Sequence, residues 1–134
     1  MRSLLAAVTT LLLLLIGDAV WLGAVAKTFY RTHIGWLLAE SPNFVAAGSF
    51  YVLYGIGVSV FVVEPALSAN SSPMRAAAMG ALFGLVAYAT YDLTNQSTVK
   101  NWPLLVTVVD LAWGAFLTAA VSVGATLIIR RFFS

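Results

Sequence analysis

The chain of 134 residues has no cysteine, a single histidine and few charged side chains. Without cysteine it can form no disulfide, no thiolate nucleophile and no zinc–sulfur site. One histidine, His33, excludes a multi-histidine metal centre within one chain. Charged residues make up 9% of the sequence, whereas a soluble domain carries about 25%, so a soluble enzyme is excluded.

The sequence also lacks a basic surface. Seven basic and five acidic residues give a net charge of +2, too small an imbalance to indicate binding to a nucleic acid. No nucleophile motif or metal-ligand spacing is present, and we expect no cofactor and no catalytic residue.

What the chain does contain is apolar, since 61% of its residues are hydrophobic. Four apolar segments, over residues 3–26, 42–63, 73–95 and 103–129, are separated by polar clusters. Each is long enough to cross a hydrocarbon core of about 30 Å as a helix. We therefore predict an all-α fold, a four-helix transmembrane bundle that forms one integral membrane domain over residues 1–134.

Helix start signals agree with this division. Ser41-Pro42 and Ser72-Pro73 each place a capping hydroxyl before a proline at the first helical position. Asn101-Trp102-Pro103 is similar and places a tryptophan at the depth of the membrane interface, which amphipathic rings prefer. Arg130-Arg131 suits both a helix C-terminus and the membrane surface.

The first apolar segment also has features of a secretory signal peptide. Arg2, the leucine run and Ala24-Val25-Ala26 resemble its basic, apolar and cleavage regions. Asp18 and Trp21 are unusual in a signal core, and they favour a retained transmembrane span.

The connection between the first two segments, residues 27–40, mixes aromatic and basic residues. We predict that it forms a short amphipathic segment in the membrane interface. Lipids are then expected partners, and the side chains expected to contact their headgroups are Lys27, Arg31, His33 and Lys100.

Basic residues also indicate an orientation. Four lie on the side of the two termini and three on the other side. This excess favours cytoplasmic N- and C-termini.

The informative polar residues are three aspartates inside the apolar segments, Asp18, Asp92 and Asp110. A charged aspartate at a helix centre costs roughly 2.5–3.5 kcal/mol. Asp18 lies about 13 Å before Lys27 along its helix, and Asp110 about 10 Å beyond Pro103. Asp92 lies near the end of the third segment, which leaves the membrane on the same side. All three acids therefore fall in the half of the membrane nearest the first connection, residues 27–40, and the third connection, residues 96–102.

Two interpretations of these acids remain open. They can form a site for a proton, a cation or a polar headgroup, or they can be neutral, hydrogen-bonded groups that fix helix register. For the first, we expect a polar site made by Asp18, Asp92, Asn95 and Asp110. Aromatic neighbours complete the candidate ligand-binding set: Trp21, Tyr88, Tyr91 and Trp113.

Small residues indicate where helices approach closely. Gly80-x-x-x-Gly84 on the third segment lets a neighbouring backbone approach closely, and Ala76 and Ala77 extend this small-residue surface. The fourth segment has a comparable set: Ala115, Thr118, Ala119, Ser122 and Gly124. Ordinary helix packing is the expected role, and a homodimer face is the alternative.

An ordered series of polar motifs resembles a known family. These are Ala89 to Asn95 (ATYDLTN), Lys100 to Pro103 (KNWP) and Val109 to Gly114 (VDLAWG), with Asp18-x-x-Trp21-Leu22-Gly23 and Phe29-Tyr30. Together they resemble the bacterial membrane proteins called domain of unknown function 2177. The resemblance covers essentially the whole chain. It implies a four-span bacterial inner-membrane protein and supplies no catalytic residues.

Three functions follow from the acids. The first is a small transporter, channel or proton-linked carrier. The second is an enzyme, or an accessory subunit, in lipid modification, and the third is a structural or assembly subunit. A water-filled cavity around the aspartates would favour transport, and a cleft opening sideways to lipid would favour lipid chemistry. If each acid instead has its own tryptophan or tyrosine hydrogen-bond donor and there is no cavity, the structural role is favoured.

Overall fold

The computed structural model describes residues 1–133. Within that range, four helices are long and apolar enough to cross a membrane, and there is no β-strand. We call them spans 1 to 4: Arg2–Val25, Phe44–Ser68, Pro73–Thr98 and Leu104–Phe132. The predicted all-α four-helix bundle is therefore confirmed.

The starts of the spans agree only in part with the start signals. Ser72 caps span 3 as predicted, because its hydroxyl accepts a hydrogen bond from the Arg75 backbone N–H at 3.3 Å. The predicted start of span 2 at Pro42 is wrong. Asn43 is the cap instead, and its side-chain oxygen accepts from the Ala46 N–H at 3.1 Å.

The predicted ends were too short for three spans. Span 2 continues to Ser68, span 3 to Thr98 and span 4 to Phe132. Each of these extensions contains polar or charged residues, and a helix can accommodate them once it leaves the hydrocarbon. The hydropathy of the sequence marks the edge of the apolar region and not the end of the helix.

Two of the spans contain a π-helical turn. Span 1 is α-helical over Arg2–Val20 and ends in a π turn over Trp21–Val25. Span 2 is α-helical over Phe44–Val58, π-helical over Ser59–Val63 and α-helical again over Glu64–Ser68. Pro65 has no N–H to donate to the preceding turn, and the second π turn lies directly before it.

Spans 3 and 4 form the closest helix pair in the bundle. A Cβ added to Gly84 would collide with the carbonyl oxygen of Gly114, and one added to Gly80 would lie 2.6 Å from the Ser122 hydroxyl. Only glycine allows this backbone approach. The Gly80–Gly84 surface is thus used inside the chain, against span 4.

The main apolar core lies where spans 1, 2 and 4 meet. Its buried members include Leu14 from span 1, Tyr54 and Val58 from span 2, and Leu117 and Val121 from span 4. This core leaves most other apolar side chains exposed, as expected for a surface that faces lipid tails.

The first connection contains a short helix, Phe29–Ile34, which we call the loop-1 helix. Its Ile34 packs against Trp102 and Val106 in a second, smaller apolar cluster. Trp102, in the turn between spans 3 and 4, is only 4% exposed, and its Nε1 donates to the Thr107 hydroxyl at 3.0 Å. A buried indole needs such an acceptor, and the turn between spans 3 and 4 supplies it.

The opposite end of the bundle is joined by polar contacts. Arg130 donates hydrogen bonds to the carbonyl oxygens of Ala66 and Ser71, at 2.9 and 2.7 Å. The Ser3 hydroxyl donates to Glu64 at 2.5 Å. The guanidinium of Arg130 thus satisfies carbonyls at the C-terminal end of span 2, where a helix carries partial negative charge.

Candidate functional site

A cavity of about 590 Å³ opens in the half of the bundle nearest the loop-1 helix. This volume lies within the range of about 300–1,000 Å³ that small-molecule sites occupy. The lining comes from all four spans and the loop-1 helix. Its residues are Asp18, Trp21, Leu22, Tyr30, Phe50, Tyr51, Tyr54, Ala87, Tyr88, Tyr91, Asp92, Asp110 and Trp113.

Asp18, in the last turns of span 1, accepts hydrogen bonds from two other spans. The Tyr51 hydroxyl of span 2 donates to its Oδ2 at 2.7 Å, and the Trp113 Nε1 of span 4 donates to its Oδ1 at 3.2 Å. Both carboxylate oxygens therefore have a protein donor, and Asp18 joins three spans at one point.

Asp110, on span 4, is bonded to the loop-1 helix. The Tyr30 hydroxyl donates to Asp110 Oδ1 at 2.5 Å and accepts from Trp21 Nε1 at 3.0 Å. The indoles of Trp21 and Trp113 stack with their centroids 4.4 Å apart and their planes 10° from parallel. Trp113 of span 4 thus donates directly to Asp18 of span 1. Trp21 of span 1 is linked to Asp110 of span 4 through the Tyr30 hydroxyl.

The Tyr30 hydroxyl lies outside the membrane spans, and its acidity is strongly altered. Burial raises the pKa of Tyr30 above its ordinary value of 10.0, and the hydrogen bond to Asp110 raises it further. Both effects disfavour the phenolate, since ionisation would place a second negative charge beside a carboxylate. Tyr30 therefore remains a hydrogen-bond donor to Asp110.

Asp92, on span 3, differs from the other two acids. It is completely buried, and neither of its carboxylate oxygens accepts a hydrogen bond from a protein donor. Asp110 lies beside it, close enough for the two side chains to interact directly. Two ionised carboxylates can only accept, so this pair can form a hydrogen bond only when one of them holds a proton.

The remaining predicted residues divide between the cavity and its surroundings. Tyr88 and Tyr91 line the cavity with Trp21 and Trp113, whereas Asn95 does not line it and interacts with Tyr91 one turn further along span 3. Outside the cavity lie the residues that we expected to contact headgroups. Lys27, Arg31 and Lys100 are exposed, and His33 is half-buried.

His33 has a local partner. Its Nδ1 lies 2.9 Å from the Phe29 carbonyl oxygen, and its ring packs 4.5 Å from the Phe29 ring. These contacts hold the imidazole against the loop-1 helix and away from the three acids.

Sequence reasoning missed four aromatic residues of the lining: Tyr30, Phe50, Tyr51 and Tyr54. A signal was present for two of them, because Tyr51 and Tyr54 are hydroxyl-bearing residues in an apolar segment and are spaced three apart, on one helical face. Tyr54 contacts the Thr118 hydroxyl at 2.7 Å. Tyr30 was marked only by the Phe29-Tyr30 motif of the family resemblance, which does not indicate which of the two rings points into the bundle.

The cavity is lined by acidic side chains, but they are not arranged as a set of metal ligands. Over residues 1–133, no basic side chain lines the cavity, although three acids do. In the same range, no group of three histidine or carboxylate side chains is arranged to hold a metal ion.

Comparison with known proteins identifies the family. The family DUF2177, described as predicted membrane protein, matches residues 3–127. The chain belongs to this family. The match covers the four spans almost completely, as the resemblance in the polar motifs indicated, and together they make this a multi-pass membrane protein. No curated protein and no solved structure matches the chain significantly.

Proposed function

We propose that this protein binds a cation inside the membrane, at a site where Asp92 gives up a proton to receive it. The observation that supports this role is the state of the Asp92 side chain. It is completely buried, it lines the cavity, and neither carboxylate oxygen has a protein donor. A buried carboxylate without a partner is costly, so it holds either a proton or a bound cation.

The three acids then have different tasks. Asp18 and Asp110 are each held by tyrosine or tryptophan donors from other segments, which is the arrangement expected of acids that fix helix register. Asp92 has no such donors. The structural interpretation therefore accounts for two acids, and the third is left for binding.

Exchange with protons makes binding depend on pH. With the cavity empty, Asp92 holds a proton, because a buried carboxylate that has no donor and lies beside a second acid resists ionisation. A cation that displaces this proton binds more tightly as the pH rises. The other titratable groups that line the same cavity are Asp18 and the hydroxyls of Tyr30, Tyr51, Tyr54, Tyr88 and Tyr91.

Infrared spectroscopy of the purified protein tests this proposal directly. A protonated carboxylic acid has a carbonyl stretch that is separate from those of amides and carboxylates. We expect that band in the wild-type protein at neutral pH and its loss in Asp92→Asn. Asp18→Asn is the matched control and should retain the band, since Asp18 is held by two donors.

The proposal is contradicted if the wild-type protein shows no such band, or if the band survives in Asp92→Asn. A second measurement uses a pH-indicator dye in weakly buffered solution. Addition of a binding cation should release protons from the wild-type protein and not from Asp92→Asn. In vesicles with the dye inside, the same release on one side and uptake on the other would extend the proposal from binding to transport.

We further propose that the protein lies in a bacterial inner membrane with both termini in the cytoplasm. The distribution of basic residues supports this orientation, and it places the cavity on the periplasmic side. The absence of cysteine makes the test simple. Glu40→Cys should react with a membrane-impermeant maleimide added to intact cells, whereas Ala69→Cys should react only after lysis. The reverse pattern would invert the orientation.

A further inference from the structure

The cavity wall is mostly aromatic. Eight of its thirteen residues carry an aromatic ring, three are the aspartates, and the other two are Leu22 and Ala87. Aromatic faces attract cations through their π electrons, most strongly when the cation is an organic ammonium that sheds its water easily. An inorganic ion such as Ca²⁺ takes six or more oxygen ligands, and among the described residues no group of three carboxylate or histidine side chains is arranged to hold a metal ion.

Charge and shape agree on the type of ligand. The three acids have no basic side chain among the described residues that line the cavity, and one of them, Asp92, is fully buried with neither oxygen accepting a hydrogen bond from a protein donor. The negative charge of this pair of acids would neutralise a single positive centre placed near Asp92 and Asp110. An apolar body attached to that centre would fill the rest of the cavity, which is lined by aromatic rings. The cavity thus fits a positive head group on an apolar body.

The opening of the cavity lies between spans 2 and 3. Phe50 on span 2 and Tyr91 on span 3 both line the cavity, yet they are 45% and 57% exposed at the surface of the bundle. Each lies about 10 Å along its helix from the end nearest the loop-1 helix. At this level the opening faces the surrounding lipid.

Deeper in the bundle, aromatic rings line the same gap. Tyr54 packs against Phe83 and Tyr88 with centroids 5.6 and 6.3 Å apart, and Phe61 packs against Phe83 at 6.4 Å. An apolar groove continues along these rings between the two spans, and it is lined by Phe61, Val62, Met79, Leu82, Phe83, Val86 and Ala87. The backbones of spans 2 and 3 do not meet as closely as those of spans 3 and 4, so the cavity has a side entrance between spans 2 and 3.

We propose that the ligand is an organic ammonium carried on an apolar body, which enters from the bilayer between spans 2 and 3 and places its positive centre beside Asp92. This inference rests on the proposed cation-binding function and specifies its ligand class. An amine-bearing lipid headgroup and a free lipophilic amine share this chemistry.

Tryptophan fluorescence provides the measurement, since Trp21 and Trp113 line the cavity and Trp36 and Trp102 do not. The probe is benzyltrimethylammonium, and neopentylbenzene, its uncharged isostere, is the matched control. We expect a saturable fluorescence change with the ammonium, and binding at least about tenfold weaker for the isostere. Asp92→Asn should weaken ammonium binding by a similar factor, whereas Glu40→Gln, which alters an exposed acid outside the cavity, should leave it unchanged.

The inference is overturned if the isostere binds as well as the ammonium, or if Asp92→Asn binds the ammonium as tightly as the wild type. Sodium chloride separates this failure from failure of the proposed function. If sodium, and not the ammonium, releases the Asp92 proton, the ligand class is wrong and the cation site remains. If neither cation releases it and the infrared band is also absent, both proposals fail.

A last comparison identifies the source of the ammonium. The protein is placed in nanodiscs of phosphatidylglycerol alone, and then in nanodiscs that also contain phosphatidylethanolamine. If the amine lipid competes with benzyltrimethylammonium in the wild type, the natural ligand is a lipid headgroup. If it does not compete while the soluble probe still binds, the ligand is a free lipophilic amine.

Discussion

The different environments of Asp18 and Asp92 predict opposite effects of the same substitution on stability. Asp18 accepts one hydrogen bond from Tyr51 and one from Trp113. Asparagine has a single acceptor oxygen, which can still accept from Trp113, whereas its amide N–H₂ can only donate to the Tyr51 hydroxyl. Asp18→Asn therefore loses the hydrogen bond that the Tyr51 hydroxyl donates to the carboxylate and keeps at best a reversed, neutral one.

The magnitude of that loss follows from the type of bond. A hydrogen bond to a charged group contributes roughly 1.5–3 kcal/mol in soluble proteins, while hydrogen bonds between membrane helices average about 0.6 kcal/mol. We expect Asp18→Asn to lower the free energy of unfolding by about 1–2 kcal/mol, a value between these two ranges.

Asp92→Asn should leave the free energy of unfolding nearly unchanged or raise it. Asp92 accepts no protein hydrogen bond that could be lost. The new amide can also donate to Asp110, as the protonated acid does, so one neutral donor replaces another. The expected change is smaller than about 1 kcal/mol.

Unfolding in mixed micelles with increasing dodecyl sulfate, followed by circular dichroism, measures both changes. Tyr51→Phe and the double variant with Asp18→Asn complete a thermodynamic cycle. We expect the two substitutions to be non-additive, because they remove the same hydrogen bond. If Asp92→Asn destabilises the protein as much as Asp18→Asn does, Asp92 holds the bundle together and its assignment to binding is refuted.

Three further predictions concern other parts of the molecule. Gly84→Ala should lower the free energy of unfolding by about 1–3 kcal/mol, because the added Cβ must push span 3 away from the Gly114 carbonyl. In a spectrophotometric titration, Tyr30→Phe should remove one phenol that ionises well above pH 10, since burial and Asp110 raise the pKa of Tyr30. Arg130→Gln should destabilise the protein by about 1–3 kcal/mol, because two carbonyl oxygens at the end of span 2 lose their charged donor.

Each of these has a control in the same chain. Gly48→Ala adds a Cβ where nothing lies within 4 Å, so equal loss in Gly48→Ala and Gly84→Ala would contradict close packing as the cause. A Tyr30 that titrates near its ordinary value would exclude the buried bond to Asp110. Arg130→Lys, which keeps the charge, should be less harmful than Arg130→Gln, and equal damage would assign the effect to geometry alone.

The number and position of the spans could be predicted from the sequence because apolar run length is a local property. The cap at Ser72 could also be predicted, because it depends only on neighbouring residues. The start of span 2 could not, since Ser41 and Asn43 are both good caps and the choice between them depends on the path of the preceding loop. The burial of Trp102 could not be predicted, because it depends on Thr107 and on the loop-1 helix, which packs against it through Ile34.

The sequence predicts where the three acids lie along the spans, but it does not predict which side chains donate hydrogen bonds to them. Charges within apolar segments mark Asp18, Asp92 and Asp110 directly, and the structure brings all three to one cavity. Which donor serves which acid depends on helix rotation and on the π turn over Trp21–Val25, which alters the direction of the side chains that follow. Such rotation is set by packing between spans, so the contact of Trp113 with Asp18 could not be derived from spacing.

The close pairing of spans 3 and 4 has a consequence for how the protein assembles in the membrane. Their glycine-lined contact involves neighbouring parts of the chain joined by the short turn 99–103, so this hairpin can form as soon as both helices are inserted. The hairpin carries Asp92 and Asp110, whereas Asp18, Tyr51 and the side entrance require spans 1 and 2 to dock. A half-assembled chain would therefore hold its paired acids open to the bilayer, and completion of the cavity would mark the end of assembly.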